Sequence, residues 1–188
     1  DNTIVLTEDT LAPFIKLTAN FAMSLNSWGY DTLRFNAIDA GSTDNCAIDF
    51  NTLKFSRDTV FSCSDIGNHF VWVSGADASG NVDSAMVTVT VNDALPPTLL
   101  LEDDTLYFSS LASTDTIRFS DIDDGSFDNC GLDSATLNGQ NFAVFSCSDL
   151  GQNVINVQLW DINGNSSTAT ANIWVLDTVA PVYTKSDT

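Results

Sequence analysis

Residues 121–130 read DIDDGSFDNC, which places Asp121, Asp123, Asp124 and Asp128 within eight positions, followed by Asn129 and a cysteine. Carboxylates this close repel one another unless a cation sits among them. A hard cation such as calcium takes about six to eight oxygens from carboxylates, amides, backbone carbonyls and water. Asp121, Asp123, Ser126, Asp128 and Asn129 offer several such oxygens from one turn that Gly125 lets fold tightly. The spacing is not that of an EF-hand loop, because the glycine comes one position early and no glutamate closes the ring. The stretch AIDAGSTDNC at 37–46 is the same loop with Asp39, Ser42, Asp44 and Asn45 kept, and with Ala37 and Ala40 in place of Asp121 and Asp124. The acids common to both loops are therefore Asp39 with Asp44 and Asp123 with Asp128, and weaker calcium binding is expected in the first. A solvated acidic turn that repels neighbouring chains accounts for the same residues without a metal.

Other aspartates recur. Asp65 and Asp149, and Asp77 and Asp161, are read as turn and capping residues that accept backbone hydrogen bonds. Asp9, Asp93 and Asp177 open the related segments DTLAP, DALPP and DTVAP, and Glu102, Asp103 and Asp104 follow the second of these, which makes calcium at a joint between domains a further reading.

Four cysteines form two equivalent pairs, Cys46 with Cys63 and Cys130 with Cys147. An even count in matching places favours one disulfide within each copy, closing a loop of about 17 residues and constraining the unfolded chain by roughly 3 kcal/mol. Free thiols or a metal site are the rival readings, although no CxxC spacing is present and His69 is replaced by Asn153 in the other copy. Oxidised cysteine places a protein outside the cytosol.

Catalytic constellations are missing from the pattern. His69 has no recognisable nucleophile partner, and Ser62 and Ser64 flank a cysteine outside any G-x-S-x-G context, so the chain is not read as an enzyme. Trp72 and Trp174 fall on the strand parity opposite the core residues, where an exposed indole can stack on sugar rings. Each is matched by a non-aromatic residue, Asn156 and Thr90, so a carbohydrate-binding module is the alternative and not the leading function.

The elements that would position these residues are strands. The segments from Asp44 and from Asp128 run in register for 24 residues, 84 positions apart, from DNCAIDF to FSCSDIG and from DNCGLDS to FSCSDLG. Ile155, Val157 and Leu159 alternate with polar partners, INGN turns the chain, and Ala169, Ala171, Ile173 and Val175 alternate in return. Asn163-Gly164 between such runs signals a hairpin, and Val71 and Val73 lead to the matching turn at ASGN. About seven short strands per repeat, without helical periodicity, predict an all-β chain of tandem immunoglobulin-like antiparallel β-sandwiches forming a rod. The expected divisions are 1–9 as the last strand of a preceding repeat, 10–93 and 94–177 as two repeats, and 178–188 as the start of a following one.

Six basic against 25 acidic residues give a net charge of −19, which opposes nucleic acid and anionic membranes. No apolar run is long enough for a membrane span, and no signal-peptide pattern is present; the opening DNTIVLTEDTLAP reads as the end of one unit, so the chain is expected to be a piece of a longer protein.

The pattern DGSFDNCGLD followed by FSCSDLGQNVINVQLWDINGNSSTATANIWVLDTVAP resembles the hyalin-like, immunoglobulin-like repeats of Bacteroidota cell-surface proteins, including gliding-motility adhesins. That resemblance implies an extracellular, disulfide-bearing repeat serving adhesion or filament formation, with neighbouring repeats, other filament subunits or surface glycans as partners. It also implies O-glycosylation at aspartate followed by serine or threonine and a small or aliphatic residue. Thr10, Thr32, Thr59, Ser84, Thr105, Thr116, Ser134 and Thr178 carry that motif. The same dipeptide is also how a strand begins after a turn in such repeats.

Overall fold

The structure, a computed structural model, describes residues 8–108 and 114–181. Most of the expected preceding strand (1–7) and following repeat (182–188) lies outside the described residues. The chain divides into two compact units, Asp1–Ala94 and Leu95–Thr188.

The first unit holds β1 (Asn20–Ser24), β2 (Tyr30–Thr32), β3 (Ile48–Phe55), β4 (Val60–Ser62), β5 (Gly67–Asp77) and β6 (Val82–Asn92). They form a four-stranded sheet in the order β1-β6-β5-β3 and a two-stranded sheet of β2 and β4. The second unit repeats the plan with β7 (Asp104–Phe108), β8 (Thr114–Ile117), β9 (Leu132–Leu137), β10 (Ala143–Ser146), β11 (Gly151–Asp161) and β12 (Ser166–Asp177), as β7-β12-β11-β9 and β10-β8. A seventh segment joins each unit through isolated bridges, Phe14 to Thr43 and Leu17 to Asp39 in the first, and Thr98 to Phe127 and Leu101 to Asp123 in the second. One departure from an all-antiparallel sandwich is the first strand, because β1 runs parallel to β6 and β7 parallel to β12.

The hairpins are long because alternation persists on both arms. Gly67 pairs with Val91 and Ala76 with Val82, and Val71, Val73, Val87, Val89 and Val91 all point into the core. In the second unit Ile155, Val157, Ala171, Ile173 and Val175 fill the same places. Phe61 and Phe145 cover them from the smaller sheets, with Ile38 and Ile122 from the single-turn helices α1 (Phe35–Ile38) and α2 (Phe119–Ile122).

The first strand breaks the 84-residue offset. Met23 pairs with Val91 and Leu106 with Val175, so the structural counterparts are 83 residues apart. A strand slipped by one residue would turn its apolar face to solvent. The slip is absorbed instead, so that Met23 and Leu25 in one copy, and Leu106 and Phe108 in the other, are the buried residues.

Ala47 has φ +136° where the second copy has Gly131 at +118°. A Cβ is disfavoured there, and Gly131 has open space around it, so backbone conformation and not crowding sets the difference. Replacing Ala47 with glycine is expected to stabilise the first unit by about 1 kcal/mol, and Gly131→Ala to destabilise the second by a similar amount. Urea unfolding of the two variants measures both.

Candidate metal centre

The acidic loop does not converge as one turn. Asp39 Oδ1 accepts from the Ser42 backbone N–H (2.9 Å) and hydroxyl (2.6 Å). Ser42 Oγ in turn accepts from Lys16 N–H at 2.9 Å, which staples the incoming segment to the loop. Asp123 does the same for Ser126 (2.9 Å), whose Oγ accepts from Leu100 N–H at 3.0 Å. The Ser42 hydroxyl, above all, holds the Asp39 carboxyl below the usual carboxylate range. Asp121 Oδ2 accepts from Arg118 N–H at 2.7 Å and closes the α2 turn, while its side chain faces solvent. Asp39, Asp121 and Asp123 are thus occupied by backbone and serine donors, and none belongs to a group of three candidate ligands among the described residues.

The acids that do meet come from three separate places in the fold. Asp9 lies on the segment that enters the first unit, Asp44 in the acidic loop, and Asp77 at the end of β5, and each offers an oxygen within 4.8 Å of the others. Local hydrogen bonds aim each carboxylate. Asp9 Oδ1 accepts from Leu11 N–H (3.1 Å) and Asn45 Nδ2 (3.1 Å), and Asp44 Oδ2 accepts from the backbone N–H of Cys46 and Ala47, both at 2.8 Å. Asp77, only 3% exposed, accepts from the N–H groups of Ser79 and Asn81 (2.9 Å each) and from Asn81 Nδ2 (2.7 Å). Asn81 Nδ2 also donates to the Asp9 carbonyl at 3.0 Å, tying the hairpin turn to the incoming segment.

These bonds leave two oxygens over. Asp9 Oδ2 and Asp44 Oδ1 are buried and without a hydrogen-bond partner. The residues therefore fit an oxygen-seeking cation, with hard anionic donors, no soft ligand required, and two lone-pair groups unsatisfied. Hydrogen bonding also favours the ionised form of two of these acids. The Leu11 N–H lowers the Asp9 carboxyl, and the Asn81 side chain lowers that of Asp77. Asp9 in turn pushes the neighbouring Cys46 thiol up.

In the second unit Asp128 Oδ2 accepts from Cys130 and Gly131 N–H (2.8 and 3.1 Å), and Asp128 and Asp161 again approach within 4.8 Å. The 84-residue offset makes Asp93 the counterpart of Asp9. Sequence reading had each member of the triad separately, Asp44 as ligand, Asp9 as joint acid and Asp77 as hairpin residue, but nothing local says that the three share one end of a sandwich. The recurrence of all three at one offset is the signal that could have grouped them.

The disulfides expected within each repeat, Cys46 with Cys63 and Cys130 with Cys147, are not formed, because Cys46 and Cys147 are free thiols. The reason is distance. Cys46 stands two residues before Ile48, which pairs with Asp77 at the end of β5, while Cys63 opens a 3-10 turn that leads into Gly67 at its beginning. Eleven strand residues separate those ends by roughly 35 Å, and a disulfide needs Cα atoms within about 7 Å. Asp65 and Asp149 cap the 3-10 turns by accepting from Ser62 and Ser146 N–H at 3.0 and 2.7 Å. His69 Nε2 meets the Asp65 carbonyl at 2.6 Å, and Asn153 Nδ2 donates to the Asp149 carbonyl at 2.7 Å, so the two side chains serve one structural purpose. Arg57 bridges Asp65 at 2.7 Å and contacts His69 Nδ1, which leaves Nε2 as the donor to the carbonyl.

Trp72 and Trp174 are exposed, on β5 and β12, so the two indoles occupy different strands of the repeat. Of the serines and threonines with the glycosylation motif, Thr10, Ser84, Ser134 and Thr178 are exposed, and Thr32, Thr59, Thr105 and Thr116 half-buried. No helix among the described residues is long and apolar enough to cross a membrane.

No family model matches the chain, and no curated protein does. Among solved structures it is similar to the extracellular cadherin domains 1–4 of protocadherin gamma B7, at 13% identity and a TM-score of 0.37, covering 88% of this chain and 51% of that one. A second likeness is to the four N-terminal immunoglobulin domains of Dscam1 isoform 6.9, at 10% identity and a TM-score of 0.44, covering 91% and 48%. A third is to the fibronectin(III)-like modules of Clostridium thermocellum CbhA, at 12% identity and a TM-score of 0.33, covering 93% and 100%. The chain spans about half the length of the protocadherin and Dscam1 structures.

Proposed function

We propose that this chain is a structural segment of an extracellular, surface-borne adhesin or filament of the hyalin-like type, in which repeats in series hold a binding tip away from the cell. The observation that carries the reading is the duplication itself, with two units of the same strand order and the same interior, joined by a short connection. A spacer needs a repeated, self-contained core and has no need of a catalytic cleft.

Calcium stiffens this segment by binding Asp9, Asp44 and Asp77 in the first unit and the counterparts of the last two, Asp128 and Asp161, in the second. Support comes from the unsatisfied oxygens on Asp9 and Asp44 and from the position of Asp9, which ties the segment entering a repeat to its loop and its hairpin turn. The exposed motif threonines and serines Thr10, Ser84, Ser134 and Thr178 are the positions where O-glycans would attach without disturbing a core.

Small-angle scattering on the full chain in calcium tests the spacer reading. Two modules in series, each built on strands of about 35 Å, are expected to give a maximum dimension of roughly 75 Å or more. A particle close to the ~45 Å of a single 188-residue globule would overturn it. The exposed tryptophans favour a second reading, a glycan-binding module. Saturable binding of oligosaccharides that disappears in Trp72→Ala or Trp174→Ala would replace the spacer by that function.

A further inference from the structure

Near the start of its longest hairpin each unit has a cleft, and the two copies treat it differently. In the first unit an arginine fills it. Arg57 lays its guanidinium over the buried Phe61 ring, 4.5 Å from the centroid, and reaches Asp65 Oδ1 through Nη2 at 2.7 Å and His69 Nδ1 through Nη1. Phe61, Asp65 and His69 thus surround one planar cation with a face to stack on and two acceptors for its edge.

In the second unit the counterparts of those three residues, Phe145, Asp149 and Asn153, line a cavity of about 470 Å³ together with Gln140, Phe142 and Val154. Arg57 is replaced by Asn141, which is exposed and does not line the cavity. The backbone supplies the reason. β3 continues beside β5 until Ser56 N–H donates to the Trp72 carbonyl at 2.9 Å, which brings Arg57 above Phe61. β9 stops at Leu137 instead, and the chain doubles back through Asn138 at φ +51° and Gly139 at φ +79°. Leu137 N–H meets the Gln140 carbonyl at 2.7 Å and Gln140 N–H the Leu137 carbonyl at 3.0 Å, which closes a tight turn of the primed hairpin type. The residues that follow leave the path on which Arg57 lies.

The acceptors keep their places without the arginine. Asp149 Oδ2 accepts from the Ser146 N–H and hydroxyl at 2.7 and 2.8 Å, as Asp65 Oδ2 accepts from those of Ser62 at 3.0 Å each, so Asp149 Oδ1 matches the oxygen that pairs with Arg57. The Ser146 hydroxyl, above all, lowers the Asp149 carboxyl and favours its ionised form. Asn153 Nδ2 donates to the Asp149 carbonyl where His69 Nε2 meets that of Asp65, so the Asn153 amide oxygen corresponds to His69 Nδ1. Phe145 is 6% exposed, whereas Phe61 beneath its guanidinium is 0% exposed. Arg118 lies exposed over the Phe142 ring, 5.6 Å from the centroid, and among the described residues the ion pair of Arg57 with Asp65 has no equivalent at Asp149.

We propose that the cavity of the second unit is a binding site for a guanidinium group, carried by an arginine side chain of another polypeptide, which stacks on Phe145 and pairs with Asp149 and Asn153 as Arg57 does inside the first unit. A lysine fits less well, because its point charge can pair with Asp149 but has no plane to lay on the ring. The site precedes β11, at the end of that strand opposite Asp161, and depends neither on calcium nor on the spacer reading.

The test is a titration of the isotope-labelled full chain with N-acetyl-arginine amide, followed by NMR in chelator. Salt at about 0.15 M screens the general attraction of a chain of net charge −19 for cations. Saturable shifts are expected at Phe145, Asp149 and Asn153. The uncharged N-acetyl-citrulline amide, of nearly the same shape, should bind about tenfold more weakly, because the charge-assisted bonds are lost. Asp149→Asn keeps an oxygen for Ser146 and removes the charge, so it should weaken arginine binding by a similar factor. Arg57→Ala opens the matching cleft of the first unit and should add a second set of shifts at Phe61, Asp65 and His69. Methylguanidinium separates the sources of the ligand: equal affinity assigns the cavity to small guanidino compounds, and tighter binding of the peptide-like probe assigns it to an arginine of a partner chain. Absence of saturation at the cavity, equal affinity for the citrulline probe, or undiminished binding by a folded Asp149→Asn protein would overturn the proposal.

Discussion

Calcium added to the chelated chain at neutral pH is expected to raise its thermal unfolding midpoint by roughly 10 °C once free calcium exceeds the dissociation constant about a hundredfold. A ligand at that excess, bound by the native state alone, contributes about 2.7 kcal/mol. For a domain of fewer than 100 residues each kcal/mol moves the midpoint by about 4–8 °C. The effect arises because three ionised carboxylates are held together by the fold and scattered in the unfolded chain. Asp9→Asn isolates the first site, since the amide oxygen can still accept from Leu11 N–H while the negative charge is gone. That variant should lose the calcium increment of the first unit and keep that of the second, as read by scanning calorimetry. Coincident melts of the unaltered protein in calcium and in chelator would remove the metal from the account. Hydrogen bonding lowers both Asp9 and Asp77, so the increment of the first site should be present at neutral pH and be lost on acidification, as these two carboxylates protonate below the usual carboxylate range.

Asp161→Ala, measured in chelator, is expected to destabilise the second unit by about 3 kcal/mol, a metal-independent loss. Asp161 is 2% exposed and accepts from Asn163 N–H (2.8 Å), Asn165 N–H (2.9 Å) and Asn165 Nδ2 (2.8 Å), so truncation strips three donors of their acceptor in the tightest part of the hairpin. Bonds to an ionised acceptor contribute about 1.5–3 kcal/mol each, and release of a buried like-charged neighbour from Asp128 offsets part of the sum. Asp161→Asn, which keeps one acceptor oxygen, should recover about half. Chemical denaturation in chelator reads this structural role, and the same series in calcium reads the ligand role on top of it. An Asp161→Ala protein as stable as its parent in chelator would show that the carboxylate is held at the turn only by the metal.

Local physics made much of this legible from residues alone. The period-two alternation through Val71 and Val73, and through Ile155, Val157 and Leu159, specifies strands with one buried face, and Asn163-Gly164 specifies where they turn. Asp65, Asp149, Asp77 and Asp161 act within four residues of themselves, so their capping and turn roles follow from residue type and spacing.

What only the tertiary structure decided depends on residues distant in the chain. The partner of a cysteine is set by which end of a roughly 35 Å strand it occupies, and loop length in sequence carries no such information, so Cys46 and Cys63 look like a pair until β5 is seen to run between them. The grouping of Asp9, Asp44 and Asp77 likewise comes from sheet order and from a segment that enters at one end of the sandwich, which pattern reading along the chain cannot supply. The one-residue slip of β7 relative to β1 has the same origin, because burial of Leu106 and Phe108 against the core outweighs the sequence offset.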